Sequence, residues 1–480
     1  MPSSHHLLLL SLSLLLLLLL FSASSTPVSL QLSRFPLPPH PDSLHRLAAL
    51  ASASALRASL LKNPRRHDAS PAPYRSPLFP HSYGGYSLTL ALGTPPQQLS
   101  LLLDTGSHLT WVPCSSSYQC RSCSSPSAAP IIPFLPKSSS STRLVGCHNP
   151  RCLWIHPRDR LSRCPSCNST SDDGCPAVPC PPYAIIYGSG STAGLLMLET
   201  LAFPHRTVPD FAVGCSILSE RQPAGVAGFG RGAPSLPSQM GLKRFSYCLI
   251  SRRYDDDAVE SGFLVLDPAM DDTSSGLSFT PFLNNTAAGA DEASPFSIYY
   301  YVGLREIAVG GEKVGVPRSA LIPNSRGNGG AIVDSGTTFT YMAPPVFKPL
   351  VAAFVNRVAG RYKRSAAVEA RTGLRPCFAL PPDSAEVEIP ELTFRFEGHA
   401  EMRLPPENYF AFTGPDRAAM CLTIVSDSDG GASSDNAGGP AIILGNFQQQ
   451  DYYMAYDLEK GRLGLRRQSC LRSSRTKRHK

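Results

Sequence analysis

One short pattern occurs twice in this chain: an apolar run ends in an aspartate, followed by a hydroxyl residue, a glycine and a second hydroxyl residue. The copies are LLLDTGSHLTWV at residues 101–112 and AIVDSGTTFTYM at residues 331–342. A single copy predicts only a strand that ends in an ordinary turn. Two copies in matched apolar contexts are not expected by chance at average composition. The chain is therefore predicted to contain two similar halves.

The order of features after each copy also repeats. An apolar-apolar-glycine triplet follows at residues 226–228 in the first half and at residues 443–445 in the second. An internal duplication explains this order. Two β-rich lobes related by a pseudo-twofold axis would bring Asp104 and Asp334 to the same axis, so these two residues become the candidate functional centre.

Alternating and helical patterns locate the other elements. Apolar alternation around turn residues predicts hairpins over residues 86–104 and 183–203. Helical spacing predicts helices at residues 43–62, around 235–241 and at 344–360. With 46 prolines and 37 glycines in 480 residues, the composition favours a β-rich protein with many turns.

Two neighbouring carboxylates support a specific chemistry. They cannot both ionise easily, because like charges raise one of the two pKa values. The pair holds one proton and titrates as a unit. It can take a proton from a water that attacks a carbonyl carbon and donate a proton to the carbonyl oxygen. Asp104 and Asp334 are therefore the candidate catalytic residues, and this chemistry requires no metal and no cofactor.

The residues after each aspartate fit a supporting role. The glycines are expected to let backbone N–H groups approach the carboxylates, and the hydroxyl residues to donate hydrogen bonds that orient them. These supporting residues are Thr105, Gly106, Ser107, Ser335, Gly336 and Thr337.

These motifs resemble those of the pepsin-like aspartic proteases. The segments Tyr187-Gly188-Ser189-Gly190 and FSYCL at 245–249, with a cysteine-rich insertion after Trp111, are similar to the plant, nepenthesin-like branch. The resemblance covers about residues 83–470. It implies an all-β fold of two pseudo-twofold related, β-barrel-like lobes with a cleft between them. It also implies a monomeric aspartic endopeptidase that acts on proteins or peptides at acidic pH and binds pepstatin-type inhibitors.

The resemblance assigns roles to four further residues. Tyr187 would close over the substrate, and Trp111 would hold the hydroxyl of Tyr187 in place. Gly188 and Ser189 would hydrogen-bond the backbone of the peptide substrate. Many plant relatives carry aspartate where Ser189 stands, so the pH profile or the specificity is expected to differ. The saposin-like insert of another plant branch is absent from the second half.

The N-terminus has the pattern of a secretory signal peptide: a polar start, an apolar run over residues 7–21 and small residues after it. A membrane anchor is the alternative, but the apolar run is short for a membrane-spanning helix. The C-terminus lacks the hydrophobic tail that a GPI-anchor signal requires. We expect a secreted, extracellular or apoplastic chain without an anchor once the signal is removed. The vacuole or another endomembrane compartment is the alternative destination.

Composition divides the chain into five parts. The part before the first lobe is rich in Ser, Pro and Leu and is either a propeptide or a merely disordered leader. The parts are a signal peptide at 1–24, a leader at 25–80, a first lobe at 81–255 with a cysteine-rich insertion at 114–180 and a flap near 187, a second lobe at 256–470, and a basic tail at 471–480.

The net charge of +8 belongs to the ends of the chain. Seven Lys/Arg and two Asp precede residue 81 and five Lys/Arg follow residue 470, which leaves 32 basic and 34 acidic side chains in the body. The basic leader residues are expected to pair with carboxylates of the cleft at neutral pH and to be released when acid protonates those carboxylates. They are Arg57, Lys62, Arg65 and Arg66.

Fourteen cysteines behind a signal peptide predict disulfides. Nine of them lie within residues 114–180, an odd number, so at least one must pair outside that region if all pair within the chain. The CxxC pairs at residues 120–123 and 164–167 also fit zinc on spacing alone, but the region has no matching histidine pair. Asn168 and Asn284 begin glycosylation sequons.

Two other function classes are alternatives to an aspartic protease. A catalytically silent binder resembling the plant xylanase inhibitors would be expected to lack a catalytic aspartate, whereas both motifs are intact here. Nucleic-acid binding would depend on the tail RSSRTKRHK at residues 472–480, and a short basic tail on a nearly neutral body gives only salt-sensitive, non-specific contact. We therefore expect no nucleic-acid partner.

Overall fold

The structure is a computed structural model. It describes residues 28–34, 43–62, 84–123, 131–156, 161, 164, 178–187, 190–204, 206–222, 224–251, 261–267, 276–283, 296–324, 327–381, 387–414, 417–426 and 438–470. Several sequence predictions fall outside these residues: the signal peptide, Arg65, Arg66, Gly188, Ser189, both sequon asparagines (Asn168 and Asn284) and the basic tail.

Within the described residues, 15 strands form one large sheet, here called the main sheet. Its order is β13-β28-β27-β11-β12-β1-β2-β3-β10-β4-β9-β8-β6, with β5 paired to β9 and β7 to β8. The strands are β1 Val28–Arg34, β2 Tyr86–Leu92, β3 Gln97–Asp104, β4 Trp111–Pro113, β5 Gln119–Arg121, β6 Arg143–Leu144, β7 Tyr183–Ile186, β8 Ser191–Phe203, β9 Arg206–Glu220, β10 Gly225–Gly228, β11 Arg244–Cys248, β12 Gly262–Leu266, β13 Ser278–Pro281, β27 Tyr452–Asp457 and β28 Arg462–Arg467.

Three smaller sheets build the second half, with orders β14-β17-β26-β18-β25, β16-β15-β21-β22 and β19-β20-β24-β23. Their strands are β14 Tyr301–Val302, β15 Leu304–Val309, β16 Glu312–Lys313, β17 Ala331–Val333, β18 Thr340–Met342, β19 Lys363–Arg364, β20 Cys377–Ala379, β21 Leu392–Phe396, β22 Glu401–Leu404, β23 Phe410–Thr413, β24 Ala419–Leu422, β25 Ile424–Val425 and β26 Ile442–Leu444.

The described helices are few compared with the strands, and the three that the sequence predicted are present. They are α1 Ser43–Lys62, α2 Leu236–Met240, α3 Arg318–Leu321, α4 Pro344–Val358 and α5 Ala366–Thr372. In α4, Phe347, Leu350 and Phe354 are buried on one face, as their spacing predicts. The predicted fold class, a mainly β chain with two lobes, is confirmed.

The two halves repeat one strand arrangement. In the first, β3 runs parallel to β10, and β10 is antiparallel to β4. In the second, β17 runs parallel to β26, and β26 is antiparallel to β18. The outer pairs repeat as well, since β4 is parallel to β9 and β18 is parallel to β25. The predicted duplication is therefore visible in the topology.

The leader contributes two elements that pack against the body. Strand β1, which was not predicted, lies between β2 and β12 in the main sheet. Helix α1 covers the second lobe, and its apolar face joins a core cluster with residues of β18 and β25. Leu47 and Leu50 of this face are fully buried. The Oγ of Ser54 also accepts a hydrogen bond from the backbone N–H of Phe339 at 2.8 Å.

Six disulfides join described cysteines. Cys114 pairs with Cys215, which confirms that the odd set of nine reaches outside its region. Cys120 and Cys123 pair with each other, so this CxxC spacing forms a disulfide. The other pairs are Cys147–Cys164, Cys152–Cys180, Cys248–Cys470 and Cys377–Cys421.

None of the helices formed by the described residues is long and apolar enough to cross a membrane.

Candidate active site

Asp104 and Asp334 occupy equivalent positions in the two halves. Asp104 is the last residue of β3, and Asp334 follows β17 directly. Both strands lie beside a parallel partner in the interior of a sheet, which explains their nearly continuous apolar sequence. Both carboxylates are fully buried. Below, these two residues are called the aspartate pair.

The two aspartate loops approach each other so closely that only glycine fits beside the carboxylates. A Cβ on Gly106 would lie 2.7 Å from Asp334 Oδ1, and a Cβ on Gly336 would lie 2.4 Å from Asp104 Oδ1. Each glycine therefore faces the carboxylate of the opposite lobe. This mutual approach places the aspartate pair on one axis, as the duplication predicts.

Each carboxylate is oriented by its own loop. The Gly106 N–H donates to Asp104 Oδ1 at 2.9 Å and the Ser107 hydroxyl donates to Asp104 Oδ2 at 2.5 Å. In the second lobe, the Gly336 N–H donates to Asp334 Oδ1 at 2.9 Å and the Thr337 hydroxyl to Asp334 Oδ2 at 2.5 Å. These hydrogen bonds favour the ionised form of each acid and fix its orientation.

Thr105 and Ser335 act differently from the sequence prediction, because their hydroxyls do not donate to the carboxylates. The Thr105 hydroxyl donates to the Val333 carbonyl at 3.2 Å, and the Ser335 hydroxyl donates to the Leu103 carbonyl at 3.0 Å. Each also accepts from the other's backbone N–H, at 2.9 and 3.1 Å. The reason is that both side chains point across the lobe boundary, so they join the lobes.

Arg57 of helix α1 lies between the two acids. Its Nη2 donates to Asp104 Oδ1 at 2.6 Å, and its Nε donates to Asp334 Oδ2 at 2.8 Å. The Nε also donates to the Thr337 hydroxyl at 3.0 Å. The guanidinium side chain is only 11% exposed. Burial alone would lower the pKa of Arg57, but the charges of the two aspartates raise it above its ordinary value, so the side chain carries its positive charge.

The aspartate pair titrates unequally with Arg57 in place. Burial raises the pKa of Asp104 to about 6, although Arg57 acts in the opposite direction, and the charge of Asp334 adds to the rise. Burial also acts to raise the pKa of Asp334, but Arg57, Thr337 and Gly336 outweigh it and hold that pKa below its ordinary value. Asp334 is thus the more acidic partner in the leader-bound state.

Lys62, at the end of α1, makes a further contact between the leader and the body. Its Nζ donates to the Tyr341 hydroxyl at 2.5 Å and lies 4.6 Å from the centroid of that ring. Lys62 therefore contacts both the phenol oxygen and the aromatic face of Tyr341 in the second lobe.

The hairpin of β7 and β8 is the one that the sequence predicts as the flap. Strands β7 and β8 pair with Ile186 opposite Ser191, and Tyr187 follows β7. The Trp111 Nε1 donates to the Tyr187 hydroxyl at 2.6 Å. Burial raises the pKa of Tyr187, and the negative charge of Asp104 acts in the same direction.

Sequence reasoning missed two buried groups near the aspartate pair. Tyr299 is 3% exposed; burial raises its pKa, and its electrostatic partners include Arg57, Asp334 and Asp104. The Gln449 amide donates to the Leu444 carbonyl at 2.8 Å. The only available signal was the polar or aromatic character of these residues within the apolar segments SIYYYV and AIILGNFQQQ.

In the part of the chain that the structure describes, no three His, Cys, Asp or Glu side chains are grouped to hold a metal ion. The candidate site therefore consists of two acids, their hydrogen-bond donors, one arginine from the leader and the flap. Two symmetry-related aspartates between two β lobes define the class of bilobal aspartic protease folds.

Comparison with known proteins agrees with this class. Residues 86–266 match the family described as "Xylanase inhibitor N-terminal", and residues 299–467 match "Xylanase inhibitor C-terminal". The chain is 33% identical over 419 residues to a probable aspartyl protease of Arabidopsis thaliana, covering 80% of this chain and 82% of the relative. It is 32% identical over 390 residues to aspartic proteinase nepenthesin-2 of Nepenthes gracilis, covering 78% and 76%.

Among solved structures, basic 7S globulin from soybean matches with a TM-score of 0.57 at 18% identity, covering 92% of this chain and 97% of the globulin. This last likeness concerns the fold alone. The sequence relatives show the family as well as the fold. The chain belongs to the pepsin-like aspartic protease family and is similar to its nepenthesin-type plant members.

Proposed function

We propose that this chain is the precursor of an aspartic endopeptidase. The observation that supports the proposal most directly is the geometry of the aspartate pair, whose two carboxylates both bind the same guanidinium group. A site that can hold one cation between two acids can also hold one water there. A pair that shares a proton can then act as base and acid in the same step.

The proposed reaction follows from the donors around each acid. Once Arg57 leaves, a water takes its place between Asp104 and Asp334. The ionised carboxylate takes a proton from this water, whose oxygen attacks the peptide carbonyl carbon, while the protonated carboxyl donates to the carbonyl oxygen. The carboxyl that took the water proton then passes it to the leaving nitrogen, the C–N bond breaks, and a hydroxyl proton of the tetrahedral intermediate returns to the other carboxylate. Ser107 and Thr337 keep the acids oriented throughout.

The test uses purified protein, a denatured protein substrate and a pH range of about 3 to 6, where a shared-proton pair operates. We expect proteolysis that pepstatin inhibits, and a loss of roughly 10³-fold or more in Asp104→Asn, since acid–base catalysis contributes about that much. Asp210→Asn is the matched control, because its carboxylate is surface-exposed and binds only Arg143 in the described part of the chain. Equal activity in Asp104→Asn and Asp210→Asn would refute the proposed role.

The leader is proposed to keep the enzyme latent. Arg57 occupies the space between the acids, and helix α1 covers the neighbouring surface of the second lobe. A substrate carbonyl cannot reach the aspartate pair while this arginine is bound. Within residues 25–80, the part that carries helix α1 is accordingly proposed to be a propeptide rather than a disordered leader.

We also propose that the chain enters the secretory pathway as a monomer, loses residues 1–24 and carries glycans at Asn168 and Asn284. The apolar N-terminal pattern and the six disulfides support this route. Endoglycosidase treatment of the secreted protein should increase its gel mobility, and Asn168→Gln with Asn284→Gln should abolish that shift.

A second candidate is a protein that binds a glycosidase without cutting peptides. The observation that favours it is the match of both halves to families described as xylanase inhibitors. The same preparation, freed of its leader and added to a xylanase assay, distinguishes the two. Inhibition without proteolysis at any pH would replace the first proposal.

A further inference from the structure

Strand β1 of the leader is an interior strand of the main sheet. Residues 28–32 pair antiparallel with residues 262–266 of β12, and residues 32–34 pair antiparallel with residues 86–88 of β2. Its removal would leave the facing backbone groups of both neighbours without partners, and buried backbone groups are almost always paired. The body therefore needs a strand in this position.

The side chains of β1 also belong to the body. Leu32 is fully buried and lies opposite Leu88, within the largest core cluster. Leu30 packs against the same cluster. Ser29, on the other face, is exposed. The described side chains of β1 thus place leucines on the core face and Ser29 on the exposed face, as a strand requires.

The segment that would have to replace β1 after removal of the leader has an unsuitable sequence. The 21 residues between Lys62 and Gly84 carry prolines at positions 64, 71, 73, 77 and 80. Their longest proline-free run, RRHDAS, contains no apolar residue larger than alanine. Proline is excluded from interior strands because it cannot donate to the ladder.

Hairpin geometry also indicates that the segment between Lys62 and Gly84 is a poor replacement for β1. The tightest hairpin that could feed β2 would turn at Gly84-Gly85 and set His81 opposite Leu88, where Leu32 lies now. That arrangement would place a polar ring in a fully buried position and Pro80 in the next position of the ladder.

We propose that residues 28–34 are a permanent strand of the folded protein, which stays bound after the chain is cut on either side of helix α1. The leader then consists of two units with different fates. Helix α1 blocks the aspartate pair and leaves, whereas β1 remains as a separate, non-covalently held peptide. The proposal concerns the fold and holds whether or not the aspartate pair is catalytic.

The test imposes the cuts on the folded full-length chain. Recognition sequences for a site-specific protease replace residues 36–41 and 68–74, and the cut protein passes through size exclusion before mass spectrometry in denaturant. We expect the peptide that contains β1 to elute with the body in a one-to-one ratio. Elution of this peptide apart from a body that remains folded would overturn the proposal.

Two substitutions in β1 form a matched pair. Leu32→Asp, at the buried position, should release the peptide after cutting, while Ser29→Asp, at the exposed position, should retain it. If Leu32→Asp fails to fold, hydrogen exchange on the cut parent chain shows whether β1 stays bound. Protected amides in residues 86–88 and 262–266 support a retained strand, and selective exchange at those residues contradicts it.

Discussion

Arg57 determines how the site responds to acid. The pKa of Asp334 is held below its ordinary value, so its ion pair with Arg57 persists at mildly acidic pH and is lost only as pH falls through that lowered value. The pKa of Asp104 is raised to about 6, so this acid takes up a proton first, while the ion pair of Asp334 still holds the leader. Release of the helix is therefore expected to follow the titration of Asp334.

Replacement of Arg57 by alanine should raise the pH at which helix α1 is released. The substitution removes both charge-assisted contacts, so less acid is needed to free the helix, and we expect a shift of at least about one pH unit. The measurement is the pH midpoint of cleavage between the leader and the body. The pH midpoint of Arg57→Lys should fall between those of the parent chain and Arg57→Ala, because an ammonium lacks the planar fork of the guanidinium. An unchanged midpoint in Arg57→Ala would exclude this account.

Replacement of Tyr187 by phenylalanine should weaken catalysis without unfolding the protein. The phenol accepts the Trp111 Nε1–H at 2.6 Å, and a hydrogen bond of this kind contributes about 1 kcal/mol. We expect kcat/KM to fall roughly 2- to 10-fold, measured on the processed enzyme. Trp111→Phe removes the same bond, so the double variant should be less impaired than the two separate losses combined. Full additivity would show that the bond does not orient the flap.

At the residue scale, the sequence predicts which chemistry a side chain can support better than it predicts which way that side chain points. The duplicated motif was enough to identify the aspartate pair as the candidate centre. It did not distinguish Ser107 and Thr337, which donate to the carboxylates, from Thr105 and Ser335, which join the lobes. All four are small hydroxyl residues in similar loops, and only the approach of the opposite lobe determines which way each hydroxyl points.

At the scale of elements, helix α1 has bounds that its sequence pattern predicts, yet its function depends on docking. Leu50 lies on the buried face, and Leu56 is 38% exposed. Leu50→Ala should weaken docking by about 2–5 kcal/mol and speed hydrogen exchange of the helix amides about 30-fold or more. Leu56→Ala should change little. Equal exchange in the two variants would mean that the apolar face does not hold the helix.

Strand β1 shows why some elements escape sequence analysis. Its seven residues, VSLQLSR, lie in a leader rich in Ser, Pro and Leu and have no turn signal that connects them to a partner. Their ladder partners, β2 and β12, are far away in the sequence. Only the assembled sheet creates the position that β1 fills, whereas hairpins such as β2–β3 carry their partner next to them.

At the scale of the whole molecule, the lobes are coupled through Thr105 and Ser335. Thr105→Val removes a hydroxyl that bonds both the Ser335 N–H and the Val333 carbonyl, and it leaves a buried N–H unpaired. We expect a loss of about 1–3 kcal/mol, a lower Tm and a broader calorimetric transition as the lobes unfold less cooperatively. Ser107→Ala, which loses a bond within one loop, should keep a single transition. An unchanged thermogram in Thr105→Val would contradict this coupling.

The architecture of the whole molecule was the most predictable level, because duplication constrains two lobes at once. The repeated motif and the repeated apolar-glycine triplet correspond directly to the paired strands β3 with β10 and β17 with β26. The contact between leader and body was only suggested by charge. Arg57 was one of four basic candidates in the sequence, and the position of α1 on the second lobe singles it out.

The order of strands in the main sheet has a consequence for biosynthesis. Strands β27 and β28, near the end of the chain, lie between β11 of the first half and β13, and Cys470 forms a disulfide with Cys248. The ribosome therefore delivers last the strands that complete the first lobe. A premature stop codon ahead of Tyr452 would damage both halves of the protein, and the main sheet keeps an incomplete edge until translation ends.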